Sequence, residues 1–407
     1  MTRVVITGLG LASPIGNDLD AVSQALREGR HGIARVPEWE HIDGLEARLA
    51  GRVEGVDGSR WPRQARRSMG RVGLLAAEAT DDAIRDAGLG AELLASGRVG
   101  LAYGSTHGSS EELERFCRTV FCKETFRGVS SASYLRFMSH TCAANLAHLY
   151  GIRGRIITTC SACVSASQAV GYGYETIRAG AQEVMICGGA EELHYVHAGI
   201  FDVMQVTSTR FDDEPGRSPR PFDRERDGLV VGEGGGTVVL ESLERAQARG
   251  AKVYGEIAGY GTNCDGTHVT SPSADGMEQA MRLALADARL DASAVHYVNA
   301  HATGTEVGDV QESLATYAVF GDDVPVSSTK GFTGHTLGAC GTIELAFCLA
   351  MMRDGFLAPS RNLDELDPEC AKLQYVTGEA RSAQPRTVMT NNFAFGGINT
   401  SLIVRGV

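Results

Sequence analysis

Residues 154–180 read GRIITTCSACVSASQAVGYGYETIRAG, and residues 324–355 read VPVSSTKGFTGHTLGACGTIELAFCLAMMRDG. Each runs from a short strand-like segment through a Ser/Thr turn and a small-residue stretch into a helix that closes on Gly. A second pair shares a pattern. RVVITGLGLAS at 3–13 and AKVYGEIAGYG at 251–261 are both β-branched strands running into Gly-rich punctuation. Two such pairs, in the same order, point to two related halves, 1–250 and 251–407.

Between these landmarks, strand-like and helix-like runs alternate, which argues for an α/β layered fold. Strands are expected at Arg3–Thr7, Val99–Tyr103, Arg155–Thr159 and Val184–Cys187. Helices are expected at Asp18–Gly29, Val72–Leu89 and Val164–Ala179, the second with Gly88 at its C-terminal end. Leu229–Leu240 reads as two strands around an EGGG turn. No low-complexity linker separates the halves, so a broad interface between them is expected.

The chain has 407 residues, 50 of them Gly, with a formal charge of −12. That charge argues against wholesale nucleic-acid binding and restricts any acidic partner to a local basic patch. The segment PRQARRSMGR, with Arg63, Arg66, Arg67 and Arg71, is one candidate. No apolar run is long enough to span a membrane, and the N-terminus reads at once as a strand. Ten scattered cysteines without an export signal fit a cytoplasmic protein with free thiols.

Cys160 and Cys163 lie three apart, a spacing compatible with zinc, a redox dithiol or a lone nucleophile. Zinc wants a second ligand pair, and none stands elsewhere at the usual spacing. A redox pair belongs at a helix start after a strand, which this stretch provides, but in a domain about a quarter of this size. A lone nucleophile at Cys163 would sit where helix N–H groups favour a thiolate and could form an oxyanion hole. Lowering the thiol pKa to about 7 there requires roughly 2 kcal/mol. Small residues that merely allow close helix packing fit the position equally well.

The second half supplies possible partners. His301 follows the apolar strand Val295–Val298 among small residues and hydroxyls, and Lys330 and His335 lie five apart in a Gly-rich turn. Histidines in such loop settings point to function. NNFAFGGINTSLIV places Phe393 and Phe395 beside a Gly pair before the last strand.

Taken in order, GGAEELHYVHAGIFDVMQVTSTR, RPFDRERDGLVVGEGGG, AHATGTEVGDVQE, SSTKGFTGHTLGACG and NNFAFGGIN, together with the nucleophile stretch, resemble the elongating β-ketoacyl-acyl-carrier-protein synthases. The resemblance covers essentially the whole chain. It implies a thiolase fold: two duplicated βαβαβαββ halves in an α-β-α-β-α arrangement. It also implies an acyltransferase. Cys163 would take an acyl chain from acyl carrier protein, and malonyl-carrier protein would lose CO2 to give an enolate that attacks the acyl-Cys163 carbonyl.

By this resemblance His301 and His335, both neutral, stabilise the enolate, and Lys330 tunes the charge near His335. Glu312 organises the site, Thr303 and Thr305 hold the pantetheine arm, and Phe395 gates the acyl pocket and supplies an oxyanion N–H beside that of Cys163. His107 and Phe393 join Phe395 in lining the acyl pocket, and Cys160 becomes a small buried filler. Arg63, Arg66, Arg67 and Arg210 would face an acidic carrier protein. No metal or soluble cofactor is implied, since the phosphopantetheine arm arrives on its carrier. The expected partner subunit is an identical chain or a chain-length-factor-like homologue.

The sequence departs from the usual pattern at Ala302, Ala394 and Ile398. Alanine in a gating loop restricts backbone freedom. His107, with His140, Thr141 and Cys142, makes the supposed acyl channel polar. An apolar tunnel suits a saturated chain, so these residues point to an unusual chain, polyunsaturated or short and oxygenated, in a polyketide or polyene pathway as against ordinary fatty acid elongation.

Overall fold

The computed structural model describes residues 2–407. In the first half, β1 (Val4–Ala12), β2 (Val99–Gly104), β3 (Ile156–Thr159), β4 (Val184–Glu191) and β5 (Gly234–Ser242) lie side by side as β1-β5-β4-β2-β3. The second half has β6 (Gly255–Cys264), β7 (Tyr297–Asn299), β8 (Pro325–Ser327), β9 (Gln374–Tyr375), β10 (Thr387–Ala394) and β11 (Ile398–Arg405). With β9 set aside as an added edge, its order is β6-β11-β10-β7-β8. The same permutation appears twice. Strand directions repeat as well: β2 and β7 are parallel to both neighbours, and the two strands nearest the centre run antiparallel.

The sheets of the two halves join where β1 pairs with β6, through Val4–Ile6 and Gly255–Ile257. Helices α1 (Leu19–Glu28), α2 (Arg71–Asp86), α3 (Ser165–Arg178), α4 (Ala274–Ala288), α5 (Glu306–Phe320) and α6 (Cys340–Asp354) complete the frame. α2 covers the outer face of the first half, and α4, backed by α5, covers that of the second. α3 and α6 each touch strands of both halves and form the middle layer. The α-β-α-β-α layering is therefore present. From Cys340 to Met351, α6 is buried on every side, as a helix apolar around its circumference must be.

Helix ends follow local chemistry. Asp18 caps α1 by accepting from the Ala21 N–H at 2.8 Å, and Gly29 ends it in the left-handed region at φ 69°. The glycines read as punctuation after the first strand of each half lie inside that strand and are not turns. A Cβ on Gly10 would lie 1.9 Å from the Ala79 carbonyl oxygen, and one on Gly261 would lie 2.1 Å from that of Ala280. Gly8 meets Ala83, and Gly259 meets Ala284, in the same way. Each half thus presses a Gly-x-Gly strand against an Ala-x-x-x-Ala helix. EGGG is likewise no turn: Gly234–Gly236 lie inside β5, where Leu75 on one side and Thr342 on the other leave no room for side chains.

Candidate active site

β3 ends at Thr159, and a tight turn, Ala162–Val164, leads into α3. Ala162 takes φ +48°, an unusual conformation for a residue with a Cβ, and Cys163 follows it at the helix entrance. Cys163 is buried at 6% exposure, yet it borders a cavity of about 450 Å³. Burial pushes its thiol up to about 12, against the downward pull of the Lys330 charge. The helix N-terminus therefore does not bring the thiol down to the expected value near 7, because burial of the charged form outweighs it.

A proton acceptor stands beside it. The His335 Nε2 is 2.9 Å from the Cys163 Sγ. His335 is anchored through its backbone N–H, which donates to the Val230 carbonyl at 2.7 Å. The His301 ring meets His335 edge-on, with centroids 5.0 Å apart. Burial first, and then the Lys330 charge, hold both imidazoles well below the usual histidine range, so both are neutral. Among the described residues their Nδ1 atoms have no hydrogen-bond partner.

Behind the histidines lie the fixing groups. Glu312, on α5, accepts from the backbone N–H of His301 at 2.8 Å and of Ala302 at 2.6 Å. Burial pushes its carboxyl up to about 8. Lys330 Nζ donates to Glu344 Oε1 at 2.5 Å, and Asn392 Nδ2 donates to Glu344 Oε2 at 2.7 Å. Burial works to lower the lysine, but Glu344 and Cys340 hold it above its ordinary value, and it stays an ammonium. Glu344 and Asn392 carry no expectation from the sequence. An isolated acid in the apolar helix GTIELAFCLAMM is a signal that could have found the former.

His301, His335, Thr303, Thr305, Phe393 and Phe395 all line the cavity with Cys163. The Thr303 and Thr305 hydroxyls are 3.1 Å apart, and Phe395 packs on Phe201 with ring centroids 5.7 Å apart. His107 is not among the lining residues. Its Nε2 is 2.7 Å from the Ser110 Oγ, and its ring packs edge-on to His197. The other polar residues of the supposed channel do not line the cavity either: His140 is exposed just before the helix Thr141–Tyr150, Thr141 Oγ1 donates to the Leu135 carbonyl, and Cys142 is buried in the core under α2. Cys160 is exposed, not a buried filler, and its thiol donates to the Ser139 carbonyl at 3.0 Å. All ten cysteines are free thiols.

Arg63, Arg66 and Arg67 line a separate surface depression with Arg136 and His148. None of the three pairs with a carboxylate among the described residues. Arg71, counted with them by sequence, instead clamps Glu233 at 2.8 Å. Arg210 is exposed and donates to the Glu225 and Arg226 carbonyls.

With this geometry in place, the comparisons are specific. Residues 1–246 match the Beta-ketoacyl synthase, N-terminal domain, and residues 254–364 match the Beta-ketoacyl synthase, C-terminal domain. The chain belongs to the β-ketoacyl synthase family. It is 40% identical to 3-oxoacyl-[acyl-carrier-protein] synthase 1 of Escherichia coli, over 100% of this chain and 99% of the relative. Among solved structures, a β-ketoacyl synthase from Burkholderia phymatum superposes with a TM-score of 0.97 at 50% identity, covering 100% of both chains. The ishigamide ketosynthase/chain length factor superposes at 0.92 with 32% identity, over 100% of this chain and 99% of that one. The thiolase fold and a condensing acyltransferase activity on carrier-bound chains follow for this β-ketoacyl synthase.

Proposed function

We propose that this β-ketoacyl synthase works through Cys163, His301 and His335 in a decarboxylative condensation of acyl and malonyl chains on acyl carrier protein. The observation that carries this reading is the convergence of one thiol and two neutral imidazoles on a single cavity, with His335 Nε2 2.9 Å from the sulfur. In the first half-reaction the thiol proton passes to His335 as sulfur attacks the thioester carbonyl. Backbone N–H groups of Cys163 and Phe395 stabilise the oxyanion, and the departing pantetheine sulfur takes up the proton. In the second, malonyl thioester releases CO2, and the His301 and His335 N–H groups stabilise the enolate. Its attack on the acyl carbonyl breaks the C–S bond and releases Cys163 as a thiolate, which regains its proton from water. Each such donor contributes about 2.7–4 kcal/mol. Glu312 and Lys330 act through the histidines.

Thr303 and Thr305 provide hydroxyls for the pantetheine amides, and Phe201, Val206, Leu229, Met277 and Phe393 offer an apolar wall. No soluble cofactor or metal is required in this scheme. A cytoplasmic setting fits ten free thiols. With His107 and Cys142 turned away from the cavity, the polar-channel argument for an unusual acyl chain loses its support, and an ordinary aliphatic chain fits the wall. A specialised polyketide or polyene chain is the second reading, supported by the superposition, at a TM-score of 0.91 and 28% identity, on a type II PKS ketosynthase bound to a hexaketide.

A second subunit, identical or chain-length-factor-like, has a surface to meet. The edge strand β3 exposes Ile156, and Val196, Ile200 and Val203 form an exposed stripe on one helix. Intact mass after exposure to saturated and polyenoyl carrier thioesters tests the whole reading. A thioester adduct present in wild type and Cys160→Ala but lost in Cys163→Ala is expected. The favoured acyl mass separates the two chain classes. A reductant-sensitive loss of two mass units with no adduct would overturn the nucleophile assignment.

A further inference from the structure

Cys163, His301 and His335 each offer one donor atom, and those atoms lie within 4.8 Å of one another. One thiol and two imidazoles, leaving a fourth position open, form a donor set that Zn²⁺ takes readily. Tetrahedral zinc with bonds of about 2.3 Å to sulfur and 2.0–2.1 Å to nitrogen wants its ligand atoms roughly 3.3–3.6 Å apart. The 2.9 Å edge between His335 and the sulfur must open by about half an ångström, and no edge, all being within 4.8 Å, must close by more than about 1.5 Å. Side-chain rotation supplies such movements.

Two further features favour a cation here. The cavity that borders the three residues gives an ion and its water a way in. The Lys330 charge facing the sulfur is offset by its pairing with Glu344.

We infer that Cys163, His301 and His335 form a reversible inhibitory site for Zn²⁺, which competes with acyl loading of Cys163. Binding makes one Zn–S and two Zn–N bonds and displaces the thiol proton to water in the cavity. No electron transfer occurs, and a chelator restores the thiol. The inference rests on the same side chains as the proposed function. Condensation in the presence of EDTA tests that function, and cation binding alone tests this site.

The full-length, metal-free protein is titrated with Co²⁺ as a spectroscopic probe, and bound Co²⁺ is then displaced with Zn²⁺. Wild type should take up one equivalent, with a near-ultraviolet thiolate-to-cobalt band and intense tetrahedral bands in the visible. Cys163→Ser should lose the thiolate band. His301→Ala and His335→Ala should each weaken binding by more than the roughly 10–100-fold that follows loss of a residue merely supporting a ligand, while Cys160→Ser should match wild type. Enzyme preloaded with an acyl chain should show no band, and Zn²⁺ added first should suppress the acyl adduct in the intact mass. A thiolate band of equal strength in Cys163→Ser would assign the metal to exposed cysteines and overturn the site. So would the absence of any band in wild type at tenfold excess Co²⁺.

Discussion

Lys330 and Glu344 meet in an interior where a single charge is poorly tolerated, at 1% and 4% side-chain exposure. Removing one member strands the other. Lys330→Met should therefore lower stability by about 3–5 kcal/mol in urea unfolding, and the double change Lys330→Met/Glu344→Leu should recover most of it. Because the Lys330 charge pulls the Cys163 thiol down, the single variant should also slow iodoacetamide labelling of Cys163. Equal labelling would place the lysine's influence elsewhere. Glu312 offers a second check. Its carboxyl is raised from the ordinary 4.5 to about 8, so the folded state binds more protons than the unfolded state between those values. Stability from this group therefore falls as pH rises from about 4.5 to 8. Glu312→Gln should flatten that part of the profile while weakening the hold on His301 by about 1–3 kcal/mol, read as unfolding free energy at pH 5.5 and 7.5. At this scale the sequence singled out Cys163, His301 and His335, which the fold brings to one cavity, since small residues and Gly-rich turns surround each. It misjudged the thiol's charge because desolvation depends on neighbours distant in the chain, and it gave no hint of the Asn392–Glu344–Lys330 line.

Helix termini were readable because their signals are local: Asp18 and Gly29 bracket α1 with the chemistry its ends demand. Glycines inside strands were not. A Gly that permits a turn and a Gly that lets a helix lie directly on a strand look alike until the packing partner is known. Gly10, Gly261 and the EGGG run belong to the second kind. Gly10→Ala would drive a Cβ into the Ala79 backbone, which cannot retreat without lifting α2 off the sheet. A loss of roughly 3 kcal/mol is expected. Gly261→Ala should lose a similar amount, because its contact with Ala280 is equivalent. Urea titration of both variants checks the symmetry of the two halves. A harmless change at either site would mean that the corresponding helix can shift at little cost.

Over the whole molecule, the duplication showed in the sequence because strand-turn-helix rhythm survives divergence, whereas the three-pair seam between β1 and β6 has no local signature. The seam puts α3 and α6 in one layer, which is how a cysteine at residue 163 and a histidine at residue 335 come within hydrogen-bonding distance. Electrostatics act on the same scale. A chain with net charge −12 repels an acidic carrier everywhere except where cations gather, and Arg63, Arg66, Arg67 and Arg136 gather around one depression. If that depression receives the carrier, charge reversal there should slow encounter without touching chemistry. Arg66→Glu/Arg67→Glu should lower kcat/KM for acyl-carrier substrate by about tenfold or more, with a wild-type dependence on salt that the variant largely loses. A small acyl thioester lacking the carrier should react at nearly the wild-type rate, since Cys163 and its histidines line a different cavity. Equal losses with both substrates would mean that the arginines support the fold, and the carrier's approach would then have to be sought nearer Arg210.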